Sequence, residues 1–139
     1  RSKAGLSQLV EAASVEDAKK VLATAVTPYW ETHYTFGSTS VRNDKNLSPF
    51  SLNLLCINTV VPILFAYGRH RGEEKYCDRA FDFLEQLRPE NNYIIRLWQQ
   101  SGLVVDNAGD SQALIQLKKE YCDKKECLRC RFGYEYLKL

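Results

Sequence analysis

The chain has 139 residues, 45% of them hydrophobic, with 19 Lys and Arg against 17 Asp and Glu for a net charge of +2. That size suits one domain with a real core, and the near-balance of charge gives no electrostatic reason for a nucleic-acid or acidic-membrane partner. Five cysteines are an odd number in a chain too long to need a disulfide scaffold, and no secretory leader stands out. The expected setting is therefore a reducing cytoplasm with free or metal-bound thiols.

In chain order, Leu6, Leu9, Val10 and Ala13 recur at helical spacing. Ser14 ends that helix and caps the next, whose acidic first turn (Glu16, Asp17) and apolar face (Ala18, Val21, Leu22, Ala25) fit a capping box. Thr27-Pro28 restarts a helix on which Tyr29, Trp30, His33, Tyr34 and Phe36 crowd one side. A polar loop, Gly37 to Leu47, is the segment expected to be disordered. Ser48-Pro49 then opens the longest apolar stretch, which reads as a helix over 49–67 stopped by Gly68. Its apolar residues fall on every face of the helical wheel, so it belongs inside, bent near Pro62. Asn53, Asn58, Thr59 and Pro62 interrupt it, which argues against a membrane span.

After it, Glu73 and Glu74 open a helix with Cys77, Ala80, Phe81, Leu84 and Leu87 expected inward, broken at Arg88-Pro89. Asn91 is the expected cap of a helix carrying Ile94, Ile95 and Trp98, and Gly102 suits its C-terminal end. Leu103 to Val105 is an extended connector, and Asp106 to Asp110 a turn. The helix Ser111 to Cys122 follows with Ala113, Leu114, Leu117 and Tyr121 inward. A charged turn from Asp123 to Arg131 leads to a last helical turn at Tyr134, Tyr136 and Leu137. The pattern predicts an all-α fold: an irregular bundle of about seven helices without a sheet, packed around the central helix in a single domain over 1–139. Trp30, Phe36 and Trp98 are expected to be buried against it.

The segments YWETHYTFG, INTVVPILFAYG, LEQLRPENNYIIRLW and NAGDSQALIQLKKEYCDKKECLRCRFG resemble the C-terminal part of an uncharacterised bacterial family, a domain of unknown function, over roughly residues 29–139. Residues 1–28 resemble it more loosely. The family motif falls on Trp30, His33, Asn58, Pro62, Asp110, Gln112, Cys122, Cys127 and Cys130, and the resemblance imports no catalytic residues. It implies a longer protein whose N-terminal half is strand-rich and similar to restriction-endonuclease-like nucleases. The absence of methionine from a chain opening at Arg1 points to the same fragment reading.

The chemical lead is Cys122-x4-Cys127-x2-Cys130, thiols at metal-ligand spacing. Zinc is the first expectation, with His33, Cys77 or His70 as the fourth ligand. An iron–sulfur cluster is the alternative, because x4-x2 resembles the first three ligands of plant-type ferredoxins. Free thiols in a plain turn, or a Cys127–Cys130 disulfide, compete with both. His33 among aromatics reads first as a packed, hydrogen-bonded residue, and Cys56 as a small buried hydrophobe. Asp110, Ser111 and Gln112 read as a helix cap rather than a polar active site. Seven Lys and Arg against four acids between Lys118 and Leu139 surround the cysteines with positive charge, which favours thiolates and offers a phosphate contact. The function expected is a helical accessory domain that packs on the N-terminal half of its own chain or binds nucleic acid. The alternative is part of a nuclease-like enzyme site completed by that half.

Overall fold

A computed structural model describes residues 5–137. It is predominantly helical, with eight helices and one small hairpin among the described residues: α1 (Leu6–Glu11), α2 (Val15–Leu22), α3 (Pro28–Glu31), β1 (His33–Thr35), β2 (Ser38–Thr39), α4 (Pro49–Arg71), α5 (Glu74–Gln86), α6 (Tyr93–Gln100), α7 (Ala108–Leu117) and α8 (Arg131–Leu137). Backbone contacts divide the chain into two compact units, the first ending at Phe83 and the second beginning at Leu84. The all-α expectation holds; the hairpin is the departure from it.

In the first unit, Ser14 caps α2 as expected. Its Oγ accepts from the Asp17 amide at 3.1 Å and donates to the Asp17 carboxylate at 2.7 Å. Val15 and Ala18 turn inward on α2, and Arg79 donates to the carbonyls of Val10 and Ala12, satisfying the end of α1. The helix restarted at Pro28 lasts one turn. β-Branched and aromatic residues then take the chain into β1, and Phe36-Gly37 turns it back through Gly37 at φ 78° into β2. The polar loop that follows is tied down: the Asn43 amide donates to Glu31, Lys45 Nζ to the His33 carbonyl, and Asn46 Oδ1 accepts from Val26.

The apolar stretch from Pro49 is one continuous helix with a π turn at Cys56–Val60, where the Val61 amide reaches back five residues to the Cys56 carbonyl. Widening the helix there relieves the carbonyl of Asn58, which the ring of Pro62 would otherwise crowd. Asn58 Nδ2 donates to the Leu54 carbonyl at 3.0 Å, so the loosened turn is closed by a side chain. Burial is a stripe rather than a full surround. Cys56, Ile57, Val60, Val61 and Leu64 are covered, whereas Phe50 and Phe65 are exposed. By length and composition this helix would also suit a membrane span, a test that core helices pass as well.

The expectation about its end is corrected. The helix stops at Gly72, which takes the left-handed conformation at φ 67°, and not at Gly68. Gly68 lies inside the helix because α5 approaches there: a Cβ would meet Cys77 Sγ at 2.8 Å, and Cys77 N and Glu73 O at 3.0 Å. The inward stripe of α5 is Cys77, Ala80 and Phe83, with Leu87 buried just past its end. Phe81 is 55% exposed and packs edge-on against Phe65 at 5.7 Å.

In the second unit, Asn92 rather than Asn91 caps α6, its Oδ1 accepting from Ile95 at 3.1 Å. Ile94 and Ile95 enter the core with Leu87, Val105 and Ala108. α7 starts three residues earlier than expected, at Ala108, because Asn107 is its cap. Asp110 in turn accepts from the Asp106 amide at 3.1 Å, one residue before the cap. Ser111 is fully buried, donating to Ala108 and accepting from the Glu90 amide, while Gln112 donates to the Glu90 carboxylate. The expected cap at Asp110, Ser111 and Gln112 is thus corrected: Asn107 is the cap, and Ser111 and Gln112 lie inside α7 and tie it to Glu90.

Candidate functional site

The end of α7 determines where the cysteines lie. Beyond Leu117 the helix widens into a second π turn, Lys118–Cys122, in which the Asp123 amide reaches the Lys118 carbonyl at 2.9 Å. The chain then reverses. Lys125 takes a left-handed conformation at φ 57°, its amide donates to the Cys122 carbonyl, and the Glu126 amide donates to that of Tyr121. A tight turn from Cys127 to Cys130 follows, with the Cys130 amide donating to the Glu126 carbonyl at 3.1 Å and more weakly to that of Cys127. The Cys130 carbonyl accepts the first bond of α8, from Tyr134. Gly133 presses on the turn so closely that a Cβ there would collide with the Cys127 carbonyl.

This reversal borders a half-open cavity of about 230 Å³ with Cys122, Cys127 and Cys130 all on its wall. Leu114, Leu117 and Tyr121 contribute one stripe of α7 and the π turn, and Trp98 comes from α6. Trp98 Nε1 donates to the Leu114 carbonyl at 3.2 Å, fixing the two helices to each other. Leu103 and Phe132, both partly exposed, also line it, and the wall is apolar throughout. All five cysteines are free thiols, with Cys130 buried and Cys122 and Cys127 exposed. Burial pushes the Cys122 thiol up, and the neighbouring Cys130 and Cys127 thiols push it further, against the pull of Lys118. Around the turn each acid has a basic partner: Lys118–Asp123, Lys124–Glu120, Arg129–Glu126 and Arg131–Glu135.

The three cysteines singled out by spacing therefore share one cavity, but they are not closed on one point. Among the described residues, no group of three or more His, Cys, Asp or Glu side chains is disposed to hold a metal ion. His33 lies in the first unit on β1, not on a helix. Its Nδ1 lies 2.8 Å from the Tyr29 carbonyl and 3.0 Å from Thr32 Oγ1, and its ring stacks on Tyr29 at 3.9 Å. Trp30 meets Tyr29 and Phe36 edge-on. The cluster is superficial: Trp30 is half-buried and Phe36 is 83% exposed, against the expectation of burial. Trp98 is likewise half-buried. Of the second expected partners, Cys77 is buried, with Sγ 3.6 Å from the Phe65 carbonyl, and His70 is exposed in the last turn of α4.

A family model described as a protein of unknown function, DUF2851, matches residues 1–93. The chain belongs to this family. The match takes in the N-terminal helices, where the resemblance was looser, and ends before the cysteine segment. No curated protein and no solved structure matches the chain. The cavity lining beyond the cysteines was not legible as a site. Leu114, Leu117 and Tyr121 have the spacing of any core stripe, and nothing in the sequence distinguishes a stripe that packs solid from one that borders a gap.

Proposed function

We propose that the chain is a helical accessory module of a cytoplasmic bacterial protein, stabilised in its C-terminal unit by a metal bound through Cys122, Cys127 and Cys130. The observation that carries this reading is the shared cavity: residues five and three positions apart put all three thiols on the wall of one half-open space. Thiolates are soft ligands, suited to zinc or iron. The polar groups that would otherwise suggest catalysis are spent on structure, with Asp110 on the Asp106 amide, Ser111 between Ala108 and Glu90, and His33 Nδ1 against a carbonyl.

Elemental analysis of anaerobically purified protein tests this. Metal is expected to accompany the chain and to be lost in Cys127→Ser and Cys130→Ser proteins, with sulfur–metal distances of about 2.3 Å by X-ray absorption. Protein that takes up neither zinc nor iron while its thiols are reduced would overturn the reading.

A further inference from the structure

The outer faces of α4 and α5 carry matching stripes. Pro62, Phe65 and Arg69 follow one another at i, i+3 and i+7 on α4, and Glu74, Asp78 and Phe81 at i, i+4 and i+7 on α5, so each set runs along one side of its helix. All six residues are exposed. We propose that this face binds a second copy of the chain, in a two-fold dimer that sets Arg69 of each copy against Glu74 and Asp78 of the other. The face lies wholly in the first unit, so the proposal is independent of the cysteines and of what they bind.

The middle of the face is aromatic. Phe65 and Phe81 meet edge-on at 5.7 Å, yet they remain 40% and 55% exposed. Both rings stand on helices and are ordered before a partner arrives, which lowers the entropy cost of association. Aromatic side chains are enriched where two proteins meet.

The charges decide what covers it. Neighbouring cations are engaged within the chain: Arg71 and Lys75 pair with Glu73, and Arg79 donates to the carbonyls of Val10 and Ala12. Among the described residues, Arg69, Glu74 and Asp78 form no ion pair. An anionic surface, lipid or nucleic acid, would meet Glu74 and Asp78 as like charges, and a basic partner would meet Arg69 in the same way. The surface that answers both signs has an acidic side and a basic side with an apolar strip between them. This face is such a surface.

Symmetry supplies the register. The ring pairs Tyr67–Tyr76 and Phe65–Phe81 run α4 and α5 antiparallel, and Tyr67 meets Tyr76 at 5.0 Å. Arg69, just beyond Tyr67, therefore lies level with the first turns of α5, which carry Glu74 and Asp78. A two-fold axis along the crevice between the helices lays α4 of one copy over α5 of the other at the same level. Arg69 then faces the two acids, Phe65 faces the other copy's Phe81, and each contact occurs twice.

The test is sedimentation velocity of the full chain over a range of concentrations. The protein is expected to pass from monomer to dimer as concentration rises. Arg69→Glu and Glu74→Lys/Asp78→Lys proteins should each dimerise at least about tenfold more weakly, because like charges then face each other twice. Mixed in equal amounts, the two variants should recover the dimer as a heterodimer, since each presents the reversed charge that the other needs. Misfolding cannot produce that recovery. Phe81→Ser should remove the dimer with every charge in place. A chain that stays monomeric at its solubility limit, or that binds phosphatidylcholine vesicles in place of a second copy, overturns the proposal. So does a dimer that Arg69→Glu or Phe81→Ser leaves intact, or a mixture of the two charge variants that stays monomeric.

Discussion

Gly68 tests how tightly the first unit is built. In an open helix, alanine would gain about 0.5–1 kcal/mol over glycine. Here the added carbon meets two backbone atoms of the next helix at 3.0 Å as well as the Cys77 sulfur at 2.8 Å. The sulfur can swing away; the Cys77 amide and Glu73 carbonyl cannot without moving α5. Gly68→Ala is expected to lower stability by about 1–3 kcal/mol, read from the urea midpoint, and a neutral or stabilising result would contradict the close approach. Asp17 supports a pH prediction. Its hydrogen bond from Ser14, and then its pairing with Lys20, hold its carboxyl below the ordinary aspartate range. The support it gives α2 is therefore complete above that range and is lost as the pH falls through the depressed value. NMR titration of the Asp17 carboxyl should show the depression, and Ser14→Ala should reduce it. Ser14 was legible from sequence because a cap is local chemistry. Gly68 was not, because its reason is the approach of Glu73 and Cys77 rather than its own turn.

Among the elements, those set by local pattern were read correctly: the start of α2, the start of the helix at Pro49, and the breaks around Pro89. Boundaries moved where two candidates for one role stood close together, as with Asn91 and Asn92, or with Asn107 and Ser111. The hairpin was missed because Tyr29, Trp30 and His33 continue a helical spacing past Glu31, while Gly37 and the β-branched residues on both sides turn the chain back. The two π turns have no pattern of their own; one precedes Pro62 and the other delivers Cys122. The cap of α7 is a discriminating test of this level. Asn107 Oδ1 holds the Asp110 amide at 3.0 Å, and Asp110 holds the Asp106 amide in return. Asn107→Ala should cost about 1 kcal/mol, and Ser111→Ala about 1–3 kcal/mol by leaving the Glu90 amide without its acceptor. If Ser111 were the cap, the order of the backbone bonds at 108–111 would differ and Asn107→Ala would be silent in thermal unfolding.

For the molecule as a whole, length alone led to one domain, and the contact pattern divides it between Phe83 and Leu84. That division falls inside α5, which runs unbroken from Glu74 to Gln86. Phe83 is buried on one side of the boundary and Leu87 on the other. The sequence around the boundary, Phe81 to Leu87, contains no glycine, proline or capping side chain that would let the helix end there. Unfolding either unit alone would leave the other with a truncated helix and unsatisfied carbonyls. We therefore expect the chain to unfold as one cooperative system. The two tryptophans allow a direct check, since Trp30 lies in the first unit and Trp98 in the second. In urea, the Trp98→Phe protein reports the first unit and the Trp30→Phe protein the second; both substitutions fall on half-buried side chains. After each curve is corrected for its own change in stability by circular dichroism, the fluorescence and helical transitions should coincide within each protein. A fluorescence midpoint displaced from the helical one in either protein would mean that α5 breaks at the boundary and that the two units fold on their own.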